Sequence, residues 1–231
     1  GFAPQGGLLI QRRTETRLWE PPFRESALLS SEWIQLDHIT GTDDRMDVFS
    51  FERNHTTLRH RTINAVDGGF EVTEHEPRIF EIYTEPQDWV MHYTFSPDGR
   101  LFVASGGEDP YYEWGVPYLY LRDVETGHYE YLYDHNGLIN SIAFSPDGRG
   151  FASGSGFTTE YYEGDDTTLR LWDIQIVNGT RKLVERARFY YDDPVYEVGY
   201  SPDSRLIAAR MPNEVSVRNT VSGREVFHLE A

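Results

Sequence analysis

One recurring phrase constrains the fold of this chain more than any other feature. An aromatic residue followed by x-Pro-x-Gly occurs as FAPQG at 2–6 and as FSPDG at 95–99 and 144–148. A near copy, YSPDS, stands at 200–204. Successive copies start 93, 49 and 56 residues apart. Recurrence at a long period marks a repeat architecture. The first interval is close to twice the others, so a copy whose signature has been lost is expected between residues 6 and 95.

Each position of the phrase has a physical task. The aromatic closes an apolar run, as Phe144 closes Leu138–Phe144. Pro146 sets φ for the first corner of a tight turn, and Asp147-Gly148 supply turn hydrogen bonding and tolerance of positive φ. A second apolar run then departs, as Leu101–Ser105 does after Gly99. The phrase is therefore the corner of a β-hairpin. A third strand follows, clearest in Leu169-Arg170-Leu171-Trp172-Asp173, with equivalents at 16–20, 119–123 and 215–219. Turns at Glu125–Gly127, Val177–Gly179 and Ser222-Gly223 lead to a fourth strand such as Glu225–Leu229.

Four short antiparallel strands per repeat is the pattern of a propeller blade. From about Asp88 to the end the chain resembles the WD-repeat β-propellers. That resemblance implies an all-β fold with about five blade units, near 1–31, 32–87, 88–135, 136–193 and 194–231. The first unit lacks its opening strand. Family rings usually close with more blades, so the ring is expected not to close within this chain, which reads as a segment of a longer propeller. Bare strand edges would then invite self-association.

The resemblance also assigns roles in the fourth unit. In the family a His before the first strand, a Ser on the second, an Asp at the next turn and the Trp of the third form a buried polar chain. The matching residues are His135, Ser153, Asp166 and Trp172, which implies a structural role for them. In the third and fifth units Arg122 and Arg218 stand where the Trp would be. No Asp lies six residues before either, so mainly apolar packing is expected there. The second unit is the least regular. Met46–Phe51 reads as its innermost strand, Thr56–Ile63 as the second, Asp67–Gly69 as a turn, and Phe70–Glu74 and Ile79–Tyr83 as the last two.

Composition narrows the partners. Asp and Glu total 38 against 21 Lys and Arg, a formal charge of −17. Such a polyanion is repelled by nucleic acid and by anionic lipid. No apolar run approaches the length of a membrane-spanning helix. With no cysteine, disulfides and thiolate catalysis are excluded. No G-x-S-x-G, H-E-x-x-H or phosphate-binding glycine loop is present, and no cofactor or metal site is expected.

The most function-like feature is a pair of insertions between second and third strands, 107–117 and 156–165. Both contain Tyr-Tyr-Glu: Tyr111-Tyr112-Glu113, followed by Trp114, and Tyr161-Tyr162-Glu163. In the family this turn shares a face with the loop leading into each blade, here Tyr190-Tyr191-Asp192-Asp193 before the fifth unit. Tyr and Trp are enriched at interaction hot spots, and acidic neighbours select Lys or Arg. These residues are the candidate surface for a protein or peptide partner, a basic one by charge. The alternatives are a carbohydrate, a cation held by Asp165, Asp192 and Asp193, the propeller part of a larger hydrolase or signalling protein, or tyrosines that only pack loop on loop.

Overall fold

The computed structural model describes residues 8–12, 15–20, 24–30, 38–41, 45–51, 57–66, 69–79, 88–108, 117–157 and 166–230. Among them every regular element is a β-strand. The chain divides into two compact units, Gly1–Ile82 and Tyr83–Ala231.

The first unit holds two sheets. Strands β1 (Leu8–Arg12), β2 (Glu15–Glu20) and β3 (Arg24–Ser30) form a three-stranded antiparallel meander in that order. The next sheet runs β4 (His38–Gly41), β5 (Arg45–Phe51), β6 (Thr57–Val66) and β7 (Gly69–Glu74). A two-residue strand, β8 (Arg78–Ile79), also pairs with β6. The order differs from the sequence reading. Met46–Phe51 lies second in its sheet, behind His38–Gly41. That strand is four residues long and ends in Gly, too short to stand out as an apolar run. Of the expected fourth strand Ile79–Tyr83, only Ile79 is among the described residues. It pairs with Thr57, beyond the stretch of β6 that β7 covers, so β7 and β8 share one flank of β6.

The second unit is three four-stranded antiparallel sheets. They are β9 (Asp88–Phe95), β10 (Leu101–Glu108), β11 (Tyr118–Asp123) and β12 (Tyr129–Leu132), then β13 (Leu138–Phe144), β14 (Gly150–Phe157), β15 (Thr168–Val177) and β16 (Thr180–Tyr190), then β17 (Glu197–Tyr200), β18 (Leu206–Arg210), β19 (Glu214–Asn219) and β20 (Glu225–Glu230). Each sheet pairs its strands in chain order, as a propeller blade does. The first strands of successive blades touch, β9 with β13 and β13 with β17.

Each of the three corner phrases among the described residues closes the first hairpin of its blade in the same way; FAPQG at 2–6 lies outside them. Ser96 Oγ donates to Asp98 Oδ1 at 2.6 Å and accepts from Leu101 N at 2.9 Å. Asp98 Oδ1 accepts from Arg100 N at 3.1 Å. Ser145, Asp147, Arg149 and Gly150 repeat this set, as do Ser201, Asp203, Arg205 and Leu206. The residue after the Asp is left-handed each time, with φ of 68° at Gly99, 70° at Gly148 and 60° at Ser204. Phe95 then faces Phe102 across the hairpin, and Phe144 faces Phe151.

Two apolar layers hold the three blades together. Leu101, Val103, Leu119 and Leu121 of one blade bury against Ile139, Phe151 and Trp172 of the next. Ala152, Leu169 and Leu171 bury against Val195, Val198, Ile207, Ala209 and Met211. Each large side chain so buried contributes about 1.5–3 kcal/mol. The long β15–β16 hairpin turns through Asn178 and Gly179, with φ of 52° and 79°. Two consecutive positive φ values suit the tight turns whose twist matches paired strands.

Candidate functional site

The antiparallel order sets two ends on each blade of the second unit. The corner phrases lie at one end. The β14–β15 connection and the segment following β16 lie at the other, because Thr168 at the start of β15 pairs with Tyr190 at the end of β16.

Near that second end the fourth blade contains a buried polar chain. His135 Nδ1 lies 2.7 Å from Asp166 Oδ2, and His135 Nε2 lies 2.8 Å from Ser153 Oγ. Trp172 Nε1 donates to the same Ser153 Oγ at 2.8 Å. One proton arrangement satisfies every member. Nδ1–H of a neutral His135 donates to Asp166, and the Ser153 hydroxyl accepts from Trp172 and donates to Nε2. Asp166 receives three further donors: Asn136 N at 3.0 Å, Thr168 Oγ1 at 2.6 Å and Arg170 Nη2 at 2.9 Å. Strand alternation brings Thr168, Arg170 and Trp172 onto one face of β15. Thr168 and Arg170 were missed in the sequence, although their spacing of two from Trp172 was visible.

The electrostatics follow from this packing. Burial would raise the Asp166 carboxyl. The His135 and Thr168 hydrogen bonds and the Arg170 charge outweigh it and hold the group well below the usual carboxylate range. Burial lowers the His135 imidazole below its ordinary value despite the Asp166 hydrogen bond, which agrees with the neutral tautomer. Ser, His and Asp stand here in the connectivity of a hydrolytic triad. Ser153 is 0% exposed, however, and Trp172 occupies its hydroxyl, so a substrate has no approach. This chain of hydrogen bonds links the segment before β13 to β14 and β15.

The fifth blade has its own polar link. Arg218 occupies the Trp position. Its guanidinium carbon lies 4.8 Å from the ring centroid of Phe189 and 5.6 Å from that of Tyr191. Arg218 Nε donates to Tyr191 Oη at 3.1 Å, and that hydroxyl donates to Ser216 Oγ at 3.2 Å. Ser216 Oγ donates in turn to Glu225 Oε1 at 2.5 Å. This replaces the apolar packing expected from the missing Trp. In the third blade Arg122 Nη1 donates to Tyr120 Oη at 3.0 Å. Tyr120 sits in a cluster with Phe102, Tyr129 and Tyr131.

Of the candidate partner residues, Tyr190 through Asp193 are described. Tyr190 is 71% exposed. Tyr191 is half-buried in the link to Ser216 and Arg218, Asp192 is exposed and Asp193 half-buried. Tyr111, Tyr112, Glu113, Trp114, Tyr161, Tyr162, Glu163 and Asp165 lie outside the described residues. Among the described residues no group of three or more His, Asp and Glu could hold a metal ion.

Comparison with known proteins agrees with this geometry. The family model described as "WD domain, G-beta repeat" matches residues 127–173, the stretch that contains the buried chain. WD repeat-containing protein 3 of Mus musculus is 33% identical over 218 residues, covering 90% of this chain. The serine-threonine kinase receptor-associated protein of Dictyostelium discoideum is 31% identical over 118 residues, covering 49% of this chain. The chain spans only 21% of the first relative and 34% of the second. Among solved structures, the β-propeller domain of Myceliophteria thermophila Cps50 (Swd1) shares the fold with a TM-score of 0.55 at 11% identity, covering 100% of this chain and 85% of that one. The blade topology, the repeated corner and the polar chain thus have one common explanation: the chain belongs to the WD-repeat β-propeller family.

Proposed function

We propose that the chain is a non-catalytic protein-interaction scaffold that engages a basic protein or peptide at the blade ends around Tyr190 and Asp192. The observation that supports this most is the exposure of Tyr190. A 71% exposed tyrosine at the end of a fully paired strand leaves its ring open to a partner, and burying it there would contribute hydrophobic free energy. Its neighbour Tyr191 is anchored from below by Ser216 and Arg218, so the segment is presented on a fixed base. Asp192 beside it is exposed and supplies charge selection for Lys or Arg, to which an aromatic ring adds about 0.5–2 kcal/mol of cation–π attraction. The Tyr-Tyr-Glu insertions at 111–113 and 161–163 extend the same chemistry. The Dictyostelium relative is itself named for association with a receptor, which favours the scaffold reading.

The test is a fluorescence anisotropy titration of the chain with a labelled Lys/Arg-rich decapeptide. Tyr190→Ala should weaken binding by about tenfold, the loss of one hot-spot aromatic, and leave the melting temperature unchanged. Asp192→Asn should flatten the salt dependence. A Tyr190→Ala variant that melts early, or that binds as the parent does, rejects the reading.

A further inference from the structure

The dipeptide Asn-Gly occurs twice in the chain, at 136–137 and at 178–179. In such a pair the backbone nitrogen of the glycine readily attacks the asparagine carboxamide. Glycine has no Cβ to crowd that nitrogen, and its backbone bends easily into the ring that forms. The structure puts the two copies in opposite settings. We propose that Asn178 is a site of spontaneous modification, converted in the folded chain to aspartate and isoaspartate, and that Asn136 is protected from it.

Asn178 and Gly179 are the two residues between β15 and β16, and both are exposed. Neither the Asn178 carboxamide nor the Gly179 N–H makes a hydrogen bond among the described residues. A Cβ at Gly179 would have no heavy atom within 4 Å, so there is room for the Asn178 side chain to swing over that nitrogen. The strand end beside the turn is bare as well, with Ile176 73% and Val177 45% exposed. Segments with so little buried surface open locally at low free-energy cost. Opening releases the two residues from their left-handed φ values and lets the Gly179 nitrogen reach the Asn178 carboxamide carbon.

Asn136-Gly137 lies beside the buried polar chain. Asn136 N donates to Asp166 Oδ2 at 3.0 Å, next to the 2.7 Å contact of His135 with the same oxygen. Gly137, whose nitrogen would attack, is buried, as are Leu138 and Ile139 after it. Bending this backbone into a ring breaks the bond to Asp166 and lifts the start of β13 out of the core.

The reaction needs only water and hydroxide. Hydroxide removes the Gly179 amide proton, the nitrogen bonds to Asn178 Cγ, and the Cγ–Nδ2 bond breaks. Nδ2 leaves as ammonia, taking a proton from water and so restoring hydroxide. Water then opens the cyclic succinimide at one carbonyl to give aspartate or at the other to give isoaspartate. One water is consumed and one ammonia released. Aspartate tolerates positive φ as asparagine does, so it keeps the turn and adds a negative charge. Isoaspartate puts an extra carbon into the backbone, which a two-residue turn matched to its strands does not absorb. This half of the hairpin ties the fourth blade to the third through Arg181 with Asp123 and Lys182 with Glu130, and the isoaspartyl form loosens that tie. The site lies at the opposite end of β16 from Tyr190 and does not rest on the function proposed there.

The experiment uses the full 231-residue chain, incubated at mildly alkaline pH in heavy-oxygen water, both folded and unfolded in guanidinium chloride. Peptide mapping by mass spectrometry follows residues 136 and 178, with chromatography separating aspartyl from isoaspartyl peptides. In the folded chain, labelled acid should accumulate at residue 178 in both forms, faster at higher pH, while residue 136 stays an amide. In the unfolded chain both positions should convert at similar rates. Gly179→Ala should remove most of the conversion at 178, because its Cβ crowds the attacking nitrogen. Conversion at 178 only after unfolding would mean that the turn protects it. Equal rates at 136 and 178 in the folded chain would mean that the buried polar chain gives no protection. Either result, or undiminished conversion in Gly179→Ala, overturns the proposal.

Discussion

Asp166 is a carboxylate taken out of water and surrounded by four donors. Such groups are costly to bury alone and tolerable only when fully bonded. Replacing it by Ala strands Arg170 and His135 without partners. Asp166→Ala should lower stability by roughly 3–5 kcal/mol, read as a fall in the urea midpoint, whereas Asp192→Ala should leave the midpoint in place. The same network makes stability depend on pH. His135 titrates lower in the folded chain than in the unfolded one, so the unfolded state binds its proton first. The stability it contributes is complete above about pH 6.5 and declines as pH falls below that value. Asp166 is also depressed, and its contribution is lost in turn as pH falls below about 4. Chemical denaturation across pH 3–8 should show two successive losses on acidification, and His135→Gln should abolish the upper one. Glycine is a further determinant at this scale. A Cβ at Gly150 would lie 2.0 Å from the carbonyl oxygen of Trp172. Gly150→Ala must push the β14–β15 pair apart, and we expect a loss of about 1–3 kcal/mol. The other three copies of the phrase carry Leu8, Leu101 and Leu206 at that position, so the requirement for Gly was not visible in the repeat.

Strand pairing was read most faithfully wherever the corner phrase was intact. The phrase contains its own hydrogen-bonding partners, because Ser, Asp and the left-handed residue bond to one another within five residues. Local chemistry therefore decides the hairpin, and the sequence displays it directly. Ser204 shows the rule under stress. It holds φ of 60° without being Gly, while its hydroxyl receives the Asp147 amide of the neighbouring blade at 3.0 Å. Ser204→Gly relieves left-handed strain of about 1–2 kcal/mol and deletes a bond worth about 1 kcal/mol. A thermal melt should detect a change of less than 1 kcal/mol. Gly148→Ala has no such compensation and should cost about 1–2 kcal/mol. The second blade, lacking the phrase, was misread. Its strand order depends on which strand pairs with β6, and β5, β7 and β8 all do. Periodicity does not distinguish among such partners.

In the unit Tyr83–Ala231 each blade buries one face against the next, so its cooperativity lies in the layers between blades. The two layers centred on Trp172 and on Leu171 both lie wholly inside this unit. A chain comprising residues 83–231 should therefore keep a cooperative unfolding transition in tryptophan fluorescence. A broad, non-cooperative loss of signal would show that these layers do not suffice. The residues proposed to meet a partner were legible only as a pattern of aromatic and acidic types. Separating Tyr190 from Tyr191 required the structure. Neighbouring residues on a strand point to opposite sides, and only the next blade reveals which side is covered. Arg218 was likewise read as a missing Trp. It became a cation over two rings because Phe189 and Tyr191 arrive from another blade. The sequence by itself determined the repeat, the hairpin corners and the polar chain of the fourth blade, since these depend on residues close together or on a pattern used again and again. Tertiary structure alone decided which tyrosine is anchored and which arginine is paired. Those outcomes depend on contacts between blades, whose residues are separated in sequence by tens of positions and are joined only by packing.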